Sequence, residues 1–469
     1  MLNIGAFFII IGNKNKGVSV LKEKVMTKFD ILVIGSGPSG STVAEECARK
    51  GKKVAIIDKL FGGTCALRGC TPKKAMESIT STYWEVKDFV GNGFTTEPNP
   101  IDWKELMAHK SKFTSTVPAQ TKQDFIDKGI EVIEGEASFH DINTVLVEGK
   151  EFKADLFVIA TGAKPRALDF SGAEFMIDSA DFFELSELPK RVAIIGGGYI
   201  GFELSHIIAA CGSDVTIISD KEMPLPAFED KLVRKLIQAT LHKGIDVKLG
   251  FEAQSISKEK GKLIVSASRS SITDYEIEAD LVINATGRVP AIQTLNLENL
   301  GIELNEKGGI KVDKFLNAVG HEHIIAIGDS TAHLPFTEVA NYEARLVVHN
   351  IFADRRQSVD YHGVPIVVFT YPKMAMVGLK TEECTKLNVK EASLRTSFIQ
   401  RARANSFAGY KTIVEKSTNK IIGAHMIGYN ADEAINVFAL AMQMNITCDQ
   451  LSDSFLAYPT AIHDTKFLV

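Results

Sequence analysis

One pattern occurs twice in this chain and limits its possible folds more than any other feature. It is a short apolar strand, a glycine-rich turn, a helical stretch and a second apolar strand. The first copy starts with FDILVIG at residues 29–35, passes through GSGPSG into STVAEECARKG, and closes with KVAIID at Asp58. The second runs from RVAII through GGGYIG and FELSHIIAACG to DVTIIS. β-Branched runs bounded by glycines and separated by a helical segment read as βαβ units. Two such units about 160 residues apart predict two nucleotide-binding domains rather than a repeat array. In each, backbone N–H groups of the glycine turn can meet a pyrophosphate at a helix N-terminus. Asp58 ends the second strand of the first unit, 18 residues after Gly40, where a carboxylate can hold ribose hydroxyls.

A length of 469 residues is too great for one ordinary core, so roughly two to four domains are expected. The net charge of −5 argues against a nucleic acid or an anionic membrane as partner. Six cysteines do not make a disulfide framework. Cys47, Cys211, Cys384 and Cys448 stand alone and are expected to be inert thiols. This usage fits a reducing cytoplasm, where a close cysteine pair is more readily catalytic than structural. The apolar stretch IGAFFIIIG at residues 4–12 falls far short of the roughly 20 residues that span a bilayer. Residues 1–25 are expected to be a disordered tail or a start-site overhang before Met26. From about residue 350 the texture changes. VVFTYP, KTIVEK and IIGAHMIG read as sheet. ADEAINVFALAMQMN carries Ile435, Phe438 and Met442 at helical spacing, a core or subunit-interface stripe.

The segment GGTCALRGCTPKK, residues 62–74, holds Cys65 and Cys70 five positions apart. A staple, half of a metal site and a redox pair are all open to such a pair. A metal site needs further ligands, and none cluster here in the sequence.

Taken with the two glycine turns, these motifs resemble the flavin-dependent pyridine nucleotide–disulfide oxidoreductases, whose members include glutathione reductase, dihydrolipoamide dehydrogenase and mercuric reductase. The resemblance covers residues 28–469. GGTCALRGCTPKK is similar to the redox-active disulfide segment. VIATGAKP (158–165) and INATGRVP (283–290) are similar to the two ATG segments of the family. IIAIGDS (324–330) resembles the segment whose aspartate holds the flavin side chain, and FTYPKMAMVGL (369–379) resembles the opening of a dimer-interface domain, with Tyr371 where many members carry histidine.

The resemblance implies an α/β architecture with two Rossmann-like dinucleotide domains and a C-terminal α+β dimerisation domain. After an extension over 1–27, it divides the chain into an FAD domain at 28–165 and 289–349, an NAD(P) domain at 166–288 and a dimer-interface domain at 350–469. It implies a homodimeric FAD enzyme, oxidising NADPH or NADH with a lean to NADPH, and passing electrons to a Cys65–Cys70 disulfide and on to a small disulfide or related acceptor. Cys65 is then the interchange thiol and Cys70 the thiol facing the flavin. For FAD it implies contacts at Gly35, Gly37, Ser39, Gly40, Asp58, Gly63, Thr64, Ala137, Thr161, Gly162 and Asp329. For the nicotinamide nucleotide it implies Gly196, Gly198, Ile200, Gly201, Ser219, Gly287, Arg288 and Tyr199, the last as a gate over the flavin. Either Lys73 or Lys74 is implied to pair with Glu203 beside the flavin. No resident metal is implied. Dihydrolipoamide dehydrogenase, a quinone, metal-ion or persulfide reductase, and a flavin sensor without turnover are the rival readings.

The C-terminus departs from the family. Where members read HPTxxE, with histidine as acid–base and glutamate orienting it, this chain reads LAYPTAIHD at 456–464. Tyr458 stands in place of histidine and His463 in place of glutamate. A tyrosine, with a pKa of about 10, does not readily take a proton from a thiol at neutral pH. An inverted pair, with His463 as base and Tyr458 as relay, is one expectation; an acceptor needing no base is another. Arg345 matches an arginine that contacts glutathione in the family, whereas Glu45 and Glu46 lie near where an arginine is expected. Ser219 and Lys221 favour a 2′-phosphate on the nucleotide, and Asp220 opposes it.

Overall fold

The β-branched runs form parallel strands because both of their faces are covered, which removes the need for polar alternation. In the computed structural model, which describes residues 27–269, 273–385, 387–394 and 397–469, β1 (Thr27–Ile34) lies at the centre of an eight-stranded sheet. It pairs in parallel with β2 (Val54–Asp58) on one side and with the strand Lys150–Ile159 on the other. The strand Glu131–Glu134 extends the sheet beyond β2, and His321–Ala326 extends it beyond 150–159. The chain order therefore reverses beside β1. In open α/β sheets the crevice at such a reversal, beyond the carboxyl ends of the strands, is where ligands bind. Helix α1 (Pro38–Arg49) follows β1. It turns Gly40, Val43, Ala44 and Cys47 inward at helical spacing.

A second parallel sheet repeats the plan, in the order 246–249, 214–219, 191–195, 281–284, 177–178. The two glycine turns share one packing solution. A Cβ at Gly35 would lie 2.3 Å from the Ala160 carbonyl oxygen, and one at Gly40 1.9 Å from that of Gly35. In the second unit Gly196 faces the Ala285 oxygen at 2.2 Å and Gly201 faces the Gly196 oxygen at 2.2 Å. Only glycine lets helix and strand approach this closely. An antiparallel meander, 252–259, 262–269 and 273–279, adjoins this sheet and gave no signal in the sequence reading.

The C-terminal part is a five-stranded antiparallel sheet backed by the helix Ala431–Gln443. Ile435, Phe438 and Met442 are buried in its core. VVFTYP is only partly strand: the strand Pro365–Val368 ends before Phe369, and the next begins at Lys373. The apolar stretch 4–12 lies outside the described residues. Among the described residues no helix is long and apolar enough to cross a membrane.

Candidate active site

The cysteine segment folds as two helices rather than one. Helix α2 (Gly63–Arg68) carries Cys65, and α3 (Cys70–Asp88) begins with Cys70. The break falls at Gly69, where a Cβ would sit 3.0 Å from the Thr64 carbonyl oxygen. Both cysteines are free thiols. The Thr337 hydroxyl, at the start of the helix Thr337–Phe352, lies 3.3 Å from each sulfur.

The two sulfurs are electrostatically unequal. The hydrogen bond from Cys65, opposed by burial and aided by Thr337 and Lys73, brings the Cys70 thiol down to about 6. The hydrogen bond to Cys70 and burial push Cys65 up. Above pH of about 6, Cys70 is therefore the thiolate and Cys65 the proton-bearing donor. In the reduced holoenzyme, a long-wavelength absorbance of thiolate against flavin should be full near neutrality. It should fade as pH falls through about 6, because protonation removes the donor charge. An anaerobic pH titration of that band, with a midpoint above 8, would contradict this assignment.

Lys73 and Lys74 part company. The Lys73 ammonium lies 3.2 Å from Glu203 Oε1, with both side chains nearly buried. Lys74 turns instead to Glu77 at 2.6 Å, so it is not the partner of Glu203. The cause is the packing of α3 against the helix Tyr199–Ala210, fixed where Trp84 Nε1 donates to the His206 carbonyl at 3.1 Å. That helix is buried on nearly all sides, and Glu203 with it. The Phe369 N–H also donates to Glu203 Oε1 at 2.8 Å. Burial raises the Glu203 carboxyl, while Lys73 and this N–H act against that rise.

These groups open onto one cavity of about 1030 Å³. Gly35, Gly37, Ser39, Asp58, Gly63, Thr64, Ala137, Thr161, Gly162 and Asp329 line it, and so do Cys65, Cys70, Lys73, Gly198, Tyr199, Ile200, Glu203 and Arg288. Asp58 accepts the Ser36 N–H and hydroxyl, both at 2.7 Å, and so anchors the first glycine turn. Burial raises Asp329, with Arg288 opposing. Gly40, Gly196 and Gly201 do not reach the cavity; they serve the close packing described above. Gly287 also lies off it. Ser219 is buried beneath the second glycine turn, where a Cβ at Gly197 would meet its Oγ at 2.5 Å, and it accepts the Lys221 N–H. Its hydroxyl is thus engaged within the fold as an acceptor. Tyr458 and His463 lie elsewhere on the protomer, their rings edge to face at 5.0 Å. Tyr458 is 73% exposed, and His463 Nδ1 is buried without a hydrogen-bond partner. No hydrogen bond joins the two.

FAD fits this cavity. Thr161 Oγ1 is buried in its wall without a partner, as a site awaiting a polar ligand would leave it. A Cβ at Gly63 would strike the Gly37 Cα at 2.4 Å, so the two backbones close on each other at the mouth of the crevice. At Gly162 and Gly198, by contrast, nothing lies within 4 Å of where a Cβ would be. Sequence reasoning missed Thr337, Phe369 and Glu343. Glu343 is fully buried and accepts the Gly328 N–H and the Tyr361 hydroxyl, both at 2.6 Å, which fixes the turn bearing Asp329. A buried glutamate in NYEAR gives no pattern to distinguish it from a surface one.

The chain matches the pyridine nucleotide-disulphide oxidoreductase family over residues 29–344 and the dimerisation domain of that family over residues 364–466, and it belongs to this family. It is 32% identical to a mercuric reductase of Staphylococcus aureus over 446 residues, covering 93% of this chain and 81% of the relative. It is 31% identical to a glutathione reductase of Burkholderia cepacia, covering 92% and 96%. Among solved structures, the HOCl-induced flavoprotein disulfide reductase RclA from Escherichia coli superposes with a TM-score of 0.84 at 27% identity, covering 94% of this chain and 99% of that one. A Cu(II) complex of RclA superposes at 0.85. The chain is accordingly a flavin-dependent disulfide oxidoreductase of a family that uses FAD and NAD(P)H.

Proposed function

We propose that this protein uses NADPH to reduce a small disulfide through the Cys65–Cys70 pair, in a homodimer whose C-terminal segments complete the sites. The carrying observation is the geometry of the pair: both sulfurs line the cavity 3.3 Å from the Thr337 hydroxyl, and Cys70 stands at the start of α3 with Lys73 three residues on. When bound, FAD supplies the two-electron relay between the nicotinamide and the cysteines. Cys70, lowered by Cys65, Thr337 and Lys73, is the thiolate that faces it. Cys65, once deprotonated, attacks one sulfur of the acceptor, and the other sulfur leaves as a thiolate that takes up a proton. Cys70 then attacks Cys65 in the mixed disulfide, which re-forms the pair and releases the second thiol. Each turnover oxidises one NADPH and reduces one disulfide.

Tyr458 is the proton donor to the leaving sulfur. His463 packs edge to face against its ring and positions it. An exposed phenol reaches a second copy more readily than its own Cys65, since Tyr458 does not line the cavity of its own chain. The glutathione reading is weakened by Arg345, whose guanidinium is held by Glu338 at 2.8 Å, whereas the repulsion expected from Glu45 is offset by Lys128 at 2.7 Å. The scattered, unpaired cysteines fit a reducing cytoplasm.

A second reading replaces the disulfide by a soft metal ion. Both sulfurs flank one hydroxyl beside an open cavity, and relatives are named for mercury reduction or were solved with Cu(II). Among the described residues no group of three or more His, Cys, Asp or Glu could hold an ion, so a metal there would be a substrate on two thiolates. The deciding experiment is anaerobic reoxidation of the NADPH-reduced holoenzyme by a panel of disulfides and by Hg(II) or Cu(II). Rapid reoxidation by a disulfide supports the first reading; reoxidation by metal alone moves the function to the second. Tyr458→Phe should slow reoxidation by a disulfide about 10²-fold and leave flavin reduction unchanged. If His463→Gln instead costs as much and removes the acid limb of the pH profile, His463 is the base. Repeating the titration with NADH tests the choice of NADPH, which rests on Lys221, exposed beyond the strand Asp214–Ser219.

A further inference from the structure

Glu77 stands two helical turns after Cys70, on the same face of α3 as Lys73 and Lys74. Its side chain is almost wholly buried. One oxygen holds Lys74 at 2.6 Å. The other makes no hydrogen bond and faces the Lys373 ammonium at 4.0 Å. Lys373 is in turn held by Asp432 at 2.7 Å, in the first turn of the helix Ala431–Gln443. The three ammoniums converge on one ring. Lys73 lies 3.8 Å, Lys74 4.5 Å and Lys373 6.0 Å from the centroid of Phe369, the residue whose N–H also holds Glu203. Three lysines and the carboxylates Glu203, Glu77 and Asp432 thus form a charge-balanced ladder. It runs from the redox helix to the C-terminal sheet and its helix.

A buried carboxylate carries a desolvation penalty that only close ion pairs and hydrogen bonds offset, and one oxygen of Glu77 lacks a hydrogen bond. Lys74 already shares the Phe369 ring with Lys73, and without Glu77 the half-exposed Lys74 would be free to share Glu203 as well. We propose that Glu77 is a positioning residue: by holding Lys74 and Lys373 it leaves Lys73 as the single ammonium acting on Glu203 and on the cysteine pair. The inference rests on Cys70 as the thiolate beside the flavin, as proposed above. The groups facing Cys70 are Cys65, Lys73, Thr337 and, across the cavity, Tyr199. Those facing Glu77 are Lys74, Lys373 and Glu203, with Asp432 behind Lys373.

The test is a pH titration of the reduced holoenzyme, read both as the long-wavelength thiolate–flavin band and as ultraviolet thiolate absorbance, which needs no turnover. Glu77→Gln adds one net positive charge near Cys70, so the midpoint should move down by about half a unit. Lys74→Gln, at a position open enough to tolerate the change, should move it up by a similar amount. The double variant restores the charge balance and should return the midpoint to the wild-type value, which a merely structural role for Glu77 would not produce. An unmoved midpoint in both single variants, or a double variant that fails to restore it, overturns the proposal. Failure of the underlying reading would show differently, as a wild-type protein with no thiolate signal titrating near pH 6.

Discussion

Cys65→Ser should abolish turnover on disulfides, by at least about 10³-fold in kcat/KM, while leaving reduction of the flavin by NADPH intact. A serine hydroxyl is too weak a nucleophile to open a disulfide, and it cannot form the mixed disulfide that Cys70 must resolve. The variant keeps Cys70 beside Thr337 and Lys73, so a thiolate signal should survive without reoxidation by a disulfide. The serine hydroxyl can still donate to Cys70, so the pH midpoint should stay near that of the wild type, whereas Cys65→Ala removes the hydrogen bond that is the largest influence holding Cys70 down and should raise the midpoint. Cys70→Ser should lose the signal altogether. Stopped-flow absorbance under anaerobic conditions separates the two half-reactions. Loss of the signal in Cys65→Ser together with its survival in Cys70→Ser would mean that the roles of the cysteines are reversed.

Lys73→Met should destabilise the protein by about 3–5 kcal/mol, because it leaves the Glu203 carboxylate buried without a cation. The loss depends on pH, and its sign follows from burial. Glu203 already sits above the usual carboxylate range through burial, with Lys73 as the main opposing influence. Without the lysine its folded-state pKa rises further above the unfolded one, so the penalty is greatest at neutral and alkaline pH. It shrinks as pH falls and the carboxyl takes up a proton. The companion variant Lys73→Met/Glu203→Leu removes both charges and should recover most of the loss. Denaturant unfolding at two pH values measures both effects. A loss independent of pH would point to altered packing against Phe369 instead of an unpaired charge.

Local features of the chain carry much of the architecture. The strand–glycine–helix signal at 29–58 and 191–219 is local in its spacing and in the fit of Gly40 on Gly35 and of Gly201 on Gly196, while Gly35 and Gly196 themselves meet Ala160 and Ala285, which only the folded sheet brings near. The cysteine pair is equally legible, because five residues of spacing lie within one folded segment. The antiparallel meander was missed because its strands carry mixed polar sequence on a half-exposed sheet, where alternation is weak. Ser219 looks open to a ligand from its position at a strand end, whereas in the structure the second glycine turn lies directly over it.

The residues by themselves determined that two dinucleotide folds and a close cysteine pair belong to one chain, and the family resemblance they carry implied a redox role for that pair and a tyrosine in place of the expected histidine. They could not decide between Lys73 and Lys74, neighbours of identical chemistry on adjacent helix positions. The tertiary structure decided it, because α3 crosses the buried helix Tyr199–Ala210 and only one of two adjacent side chains can point into that contact. The same holds for Thr337 and Glu77. Nothing in their local sequence marks them, since their effect comes from charges and sulfurs brought near by folding: Thr337 lies more than 260 residues from either cysteine, and the Lys373 that faces Glu77 comes from the C-terminal sheet.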